Sequence, residues 1–266
     1  MELDKNNKEW LAANKIINTT HRSLFLTGKA GTGKSTFLRY ISKNTKKKHV
    51  ILAPTGIAAI NAGGSTLHSF FRLPFHPLLP NDNQYSPRNS RKTLKYSSNH
   101  SKLIRELELI IIDEISMVRA DIIDFIDKVL RIYCRNMREP FGGKQLLLVG
   151  DIFQLEPVVR EDDRRLLQPF YASSYFFSAK VFQEIQLVSI ELRKVYRQTD
   201  STFIDILDRI RSNNANDSDI SKLNSRVNAN INVRDKSLVI TLASRRDTVD
   251  YINEQRLAQL EGSPSI

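Results

Sequence analysis

The sequence predicts an α/β fold, a mainly parallel β-sheet flanked by helices, followed near the C-terminus by the start of a second α/β unit. Three observations predict it. Short apolar segments that are β-branched or Leu-rich recur along the chain, stretches of helical periodicity fall between them, and a glycine-rich loop, GKAGTGKS, joins the first such strand to the first such helix.

Residues 1–22 precede the sheet and read as a helical region. Strands are expected at 23–27, 50–53, 109–112, 145–149 and 185–190, where near-continuous apolar runs suit burial on both faces. Helices are expected at 35–42 and 121–133. In the second, Ile122, Ile123, Phe125, Ile126, Val129, Leu130 and Tyr133 recur at helical spacing. Between residues 72 and 99 the pattern dissolves into Pro, Asn, Ser and scattered basic residues, which reads as a surface insertion at 72–100. The main domain is thus expected over 23–212, a polar linker over 213–236, and a second domain from 237 to 266 that opens with a strand at 238–243 and a helix at 248–260. One strand and one helix cannot bury a core, so the remainder of that domain is expected to lie beyond this sequence.

A chain of 266 residues that is 41% apolar can build a packed core. No apolar run approaches the roughly 20 residues of a membrane span, and no charged leader precedes an apolar stretch, so a cytoplasmic protein is expected. The single cysteine, Cys134, excludes an internal disulfide and a Cys/His zinc cluster, and it reads as a thiol on an apolar helix. With 40 Lys and Arg against 29 Asp and Glu, the formal charge of +11 attracts polyanions, nucleic acid first among them. Composition alone does not decide that partner.

Residues 28–35 match G-x-x-x-x-G-K-[ST] in the required strand-loop-helix context. Gly28, Gly31 and Gly33 permit a tight loop whose backbone N–H groups, with those of Thr32 and Thr36, face phosphate oxygens. Lys34 supplies a charge to the β and γ phosphates and the Ser35 hydroxyl can ligate Mg²⁺, so ATP and Mg²⁺ are the expected cofactors. In LIIIDEISM, Asp113 would hold Mg²⁺ directly or through water, and Glu114 would orient and deprotonate the attacking water. Gln154, in GDIFQLEPV, can sense a γ-phosphate or water. Arg197, in VYRQ, is either an arginine finger that completes its reach when a cleft closes or a surface arginine paired with Asp200.

GKAGTGKST, APTGIAA, GGSTLHSFF, IIIDEISMV, PFGGKQLLLVGDIFQLEPV and LRKVYRQ occur in the order seen in superfamily-one helicases that travel 5′ to 3′, and the chain resembles the Pif (petite integration frequency) family. PFGG at 140–143 looks like the part that separates this family from RecD-type relatives. The resemblance runs from about residue 24 to the end and implies a RecA-like P-loop NTPase domain, the first motor domain of a DNA helicase, plus the start of a second RecA-like domain. It implies DNA contacts from Pro54, Thr55, Gly56, Thr66 and His68, with Phe70 packing nearby. Single-stranded DNA and DNA junctions are the expected partners, and a monomer is expected.

Three departures stand out. The glutamine that usually recognises adenine has only Asn7 or Asn14 as possible substitutes, Glu156 stands where proline is common, and the family's two later motifs are absent. The competing function is a nucleotide-gated DNA-binding module without unwinding. A small-molecule kinase would leave APTG and TLHSFF unexplained.

Overall fold

The structure is a computed structural model that describes residues 4, 6–197, 200–227 and 240–259. The chain divides into two compact units, Met1–Leu207 and Asp208–Ile266. The first holds α1 (Lys8–Thr19), β1 (Leu24–Gly28), α2 (Lys34–Asn44), β2 (His49–Ala53), α3 (Gly56–Ala62), β3 (Ser65–Thr66), α4 (Leu67–Phe71), α5 (Ser90–Leu94), α6 (Ser98–Glu106), β4 (Leu109–Ile112), α7 (Ala120–Cys134), β5 (Gln145–Val149), α8 (Glu161–Leu167) and β6 (Val188–Leu192). The division itself falls inside α9 (Ser201–Arg211).

Six strands form one all-parallel sheet in the order β3-β2-β4-β5-β1-β6. A parallel sheet needs cover on both faces, and the alternation along its central strands supplies two apolar surfaces. Leu109, Ile111, Leu147 and Val149 join the core that contains Ala13 and Ile17 of α1 and Phe37, Leu38 and Ile41 of α2. Ile110, Ile112, Leu146 and Leu148 join the opposite core with Ile123, Ile126, Val129 and Leu130 of α7. Lys47 ties the lower end together: its ammonium donates to the carbonyls of Ile17 and Thr20, where α1 ends, and to Oε1 of buried Gln145 at 2.6 Å.

PFGG closes against α7. Phe141, Gly142 and Gly143 have φ of 54°, 61° and 80°, three successive left-handed residues, and Phe141 N donates to Asp127 Oδ1 at 2.5 Å. Arg131 grips the same carboxylate, with Nε 2.9 Å from each oxygen. A side chain at Gly142 would place its Cβ 2.7 Å from the Leu130 carbonyl, so only glycine lets the turn lie this close to the helix.

Segment 72–100 departs from the surface-insertion reading. It contains α5 and the start of α6, and Leu73, Leu78, Tyr85 and Leu94 are buried in the α7-side core, with the Tyr85 ring 4.9 Å from that of Phe125. Its apolar residues are too sparse to show a period, yet these four share a core with residues of α4 and α7. The smallest strand, β3, was not expected because two residues carry no pattern.

In the second unit, α10 (Asp217–Asn224) starts with a reciprocal Asn216–Asp219 capping box, and Arg209 holds Asp219 through two 2.7 Å hydrogen bonds. The expected helix is α11 (Arg246–Leu257). The strand expected at 238–243 begins outside the described residues, and 240–243 is not a strand: Ile240 and Leu242 are 83% and 92% exposed, and no neighbouring strand is described to pair with them. Among the described residues no helix is long and apolar enough to cross a membrane.

Candidate functional site

Every residue expected at the site lies at or beyond the C-terminal end of a strand. Gly28 ends β1 and residues 29–36 follow it, Pro54 to Gly56 follow β2, Thr66 ends β3 with His68 and Phe70 after it, Asp113 and Glu114 follow β4, Gln154 follows β5 and Arg197 follows β6. Parallel topology therefore collects them on one edge, where open α/β sheets bind ligands.

The loop after β1 turns through Gly31 (φ 80°) and Gly33 (φ 93°) into α2, whose N-cap Gly33 offers no side chain to the first-turn N–H groups. The first turn of such a helix is the part of the fold suited to an anion. Lys34 Nζ donates to the carbonyls of Gly28 at 2.6 Å and Lys29 at 3.1 Å, so its ammonium is folded over the loop. Buried Thr32 braces the turn through its hydroxyl, which donates to Lys29 O at 2.8 Å. The segment after β6 lies directly on this loop. Tyr196 N donates to Gly31 O at 2.8 Å, and Arg197 Cβ sits so close that a Cβ at Gly31 would be 2.7 Å from it.

These contacts bring Gly31, Gly33, Lys34, Ser35, Thr36, Glu114, Gln154 and Arg197 around one cavity of about 290 Å³, whereas Gly28, Thr32 and Asp113 are not among its lining residues. Arg197 and Asp200 form no ion pair; Asp200 instead accepts from Phe203 N at 3.1 Å, at the start of α9. Burial pushes the Asp113 carboxyl above its ordinary range, and the bonded Glu114 N–H and the Lys34 charge pull it partly back. Glu114 is also raised, first by burial, then by the Asp113 and Asp151 charges, with Lys34 opposing. Its backbone is left-handed at φ 50°, a strained conformation for a non-glycine residue of the kind that concentrates at functional sites.

Sequence reasoning passed over Asp151, which is buried and organises the turn after β5. Its carboxylate accepts from Phe153 N at 3.2 Å and from Gln154 Nε2 at 3.2 Å, aiming the glutamine toward the cavity. An aspartate directly after the strand was the available signal. Among the described residues no three His, Cys, Asp or Glu side chains converge to hold a metal. Ser35 lines the cavity and Asp113 follows β4 at the same sheet edge; oxygen donors as few as these suit Mg²⁺, which takes most of its ligands from phosphates and water.

A second cavity, of about 190 Å³, is walled by Pro54, Thr55, His68, Arg119, Met117 and Val158 among others. Thr55 and Thr66 cap α3 and α4, accepting from Ala58 N and Ser69 N at 3.2 and 3.1 Å, and each hydroxyl keeps its O–H to donate elsewhere. Gly56 and Thr66 are not among the walls. Phe70 departs from the set, because it is buried, edge-on to Phe71 at 4.9 Å, and shows no face to a base. Arg119 was also missed, having no motif around it. It is held by two hydrogen bonds to buried Asp121, at 2.9 and 2.7 Å, and its charge with burial keeps His68 below its ordinary pKa. Exposed Glu156 lies beside Arg119 at a further cavity.

Both asparagines that could replace the missing glutamine already hold partners. Asn7 Oδ1 caps α1 at Trp10 N and its amide donates to the Tyr196 hydroxyl, while Asn14 Oδ1 accepts from Asn18 at 2.8 Å.

Comparison with known proteins places this site in a family. The PIF1-like helicase family model matches residues 3–221. The chain is 34% identical to the ATP-dependent DNA helicase PIF1 of Saccharomyces cerevisiae strain YJM789 over 97% of its length and 29% of that protein's. It is also 34% identical to the human ATP-dependent DNA helicase PIF1, over 91% of this chain and 35% of the relative. It therefore spans about a third of the curated relatives it matches. Among solved structures, Bacteroides Pif1 bound to ssDNA superposes with a TM-score of 0.87 at 38% identity, covering 98% of this chain and 57% of the other. Bacteroides Pif1 in complex with ADP-AlF3 and ssDNA gives 0.87 at 39% identity, covering 96% and 58%. By sequence over most of its length, the chain belongs to the PIF1-like helicase family.

Proposed function

We propose that this chain is the ATP-binding and strand-gripping part of an ATP-dependent DNA helicase that moves 5′ to 3′ on single-stranded DNA. The observation that carries the reading is the common edge of the sheet: one strand-end set lines the 290 Å³ cavity and its neighbours line the 190 Å³ groove. The relatives named as ATP-dependent DNA helicases, and the Bacteroides protein solved with ADP-AlF3 and ssDNA, support it.

In this reading the loop at 28–36 wraps the phosphates, and Lys34 exchanges its loop carbonyls for phosphate oxygens. Ser35 and Asp113 would hold Mg²⁺, whose contribution when bound is to neutralise phosphate charge. Glu114 orients the attacking water and takes its proton, a task suited to a carboxylate with a raised pKa. Gln154, aimed by Asp151, reports on the γ-phosphate, and Arg197, seated against Gly31, stabilises charge as it develops. Arg119 and the hydroxyls of Thr55 and Thr66 grip strand phosphates without reading sequence. Phe70 supports that face from beneath. Residues 237–266 open a second RecA-like domain, and action at junctions, a monomeric state and a cytoplasmic location belong to the same proposal on the strength of the sequence expectations.

Strand displacement on duplexes carrying a single 5′ or 3′ tail tests it, using the 266-residue chain and the longest protein that its gene encodes. ATP-dependent displacement that requires the 5′ tail in the longer protein is the expected result. Displacement from the 3′ tail overturns the polarity. DNA-stimulated hydrolysis without displacement in the longer protein makes it a nucleotide-gated DNA-binding module instead.

A further inference from the structure

We propose that Phe75, backed by His68, is a stacking platform for one base of the strand in the groove of Pro54, Thr55 and Arg119. The inference rests on the single-strand reading of that groove and adds a residue that no motif marks.

Phe75 is 89% exposed, an unusual position for so large an apolar ring. The chain around it enforces the exposure. Leu73 and Leu78 are buried on either side, so residues 74–77 make a short bridge between two anchors. Leu73 N donates to His68 O at 3.0 Å, and Leu78 N donates to Asp121 Oδ2 at 2.9 Å. Pro74 and Pro77 flank the bridge and fix two of its φ angles, leaving Phe75 little freedom to fold inward.

The ring is also oriented. Its plane lies 10° from that of His68 with centroids 5.2 Å apart, a stacked pair that covers one face of Phe75. Exposure on this scale leaves the other face open. Burial and the Arg119 charge hold His68 below its ordinary pKa, which keeps the supporting imidazole uncharged near pH 7. Asp121 links the parts, because the carboxylate that anchors Leu78 is the one that fixes Arg119 in the groove. A phosphate donor and an exposed π-face are therefore positioned by a single buried ion pair. Such pairing binds single strands with little sequence preference, since every base has a π-face.

The test is fluorescence anisotropy of the 266-residue chain with a labelled twelve-nucleotide dT strand and with copies carrying one abasic nucleotide at successive positions. Phe75→Ala is expected to weaken binding about 5- to 150-fold, the range for loss of one base–aromatic stack, and Phe75→Trp to restore it to within about threefold. One abasic position should weaken the unmodified chain and leave Phe75→Ala unaffected, a pattern that a merely structural loss does not give. Affinity of Phe75→Ala within about twofold of the unmodified chain, or the same abasic profile in both, overturns the platform while leaving the groove intact. Failure of the unmodified chain to bind the strand overturns the groove reading and the platform together.

Discussion

Gly142→Ala adds one methyl group where the PFGG turn lies on α7, and the structure sets its cost. The residue sits at φ 61°, where an L side chain costs about 1–2 kcal/mol. The new Cβ would stand 2.7 Å from the Leu130 carbonyl oxygen and 3.0 Å from Cys134 Cβ. The carbonyl belongs to the α7 backbone and cannot rotate away, so the turn must lift, an overpacking cost of about 1–3 kcal/mol. The sum is about 2–5 kcal/mol. For a unit of this size that lowers the melting midpoint by about 4–20 °C. Gly63→Ala is the control: φ is 74° but nothing lies within 4 Å of its Cβ, so only the backbone cost of about 1–2 kcal/mol applies, a drop of about 2–8 °C. Thermal melts followed by circular dichroism on both variants measure the difference. A Gly142→Ala midpoint no lower than that of Gly63→Ala would refute the idea that close approach to α7 demands this glycine.

Four further outcomes concern the two cavities. Lys34→Ala should weaken a fluorescent ATP analogue by at least about 100-fold, since two charge-assisted hydrogen bonds are worth roughly 3 kcal/mol or more; unchanged affinity would remove the phosphate role. Glu114→Gln should keep nucleotide affinity and lose about 10²- to 10⁴-fold in hydrolysis. Because the Glu114 pKa is raised in the fold, its ionised form destabilises the native state above that pKa; Glu114→Gln should therefore melt higher at pH 7, with the gain fading as pH falls below the ordinary glutamate value and both states become protonated. A gain independent of pH would contradict the burial argument. Binding of single-stranded DNA should fall about tenfold between roughly 50 and 200 mM salt if two or three phosphates are neutralised, and should differ little between unrelated sequences; a hundredfold sequence preference would exclude backbone gripping.

The parts of this chain that were legible in sequence are those where one residue type answers one physical demand. Buried parallel strands need apolar runs, so β4 and β5 were readable to the residue, and a phosphate loop needs glycines followed by lysine at fixed spacing. Edges were less clear: β6 lies at Val188–Leu192 rather than 185–190, because the alternating segment VSIEL continues past the apolar run, with Val188 and Ile190 only half-buried. Leu73, Leu78, Tyr85 and Leu94 gave no sign of burial, since the α7 residues with which they share a core lie far along the chain. Arg119 and Asp151 escaped notice for a related reason. Their importance comes from what they hold, Asp121 and the groove in one case and Gln154 in the other, and neither relation is written in local spacing.

The central claim is that one edge of the sheet couples nucleotide hydrolysis to a gripped strand. Steady-state ATP hydrolysis by the 266-residue chain, titrated with poly(dT) and run beside Lys34→Ala, tests it most directly. The expected result is Mg²⁺-dependent hydrolysis that rises with poly(dT) and disappears in Lys34→Ala. Hydrolysis that persists in Lys34→Ala, or a rate that poly(dT) leaves unchanged while the strand is demonstrably bound, would contradict it.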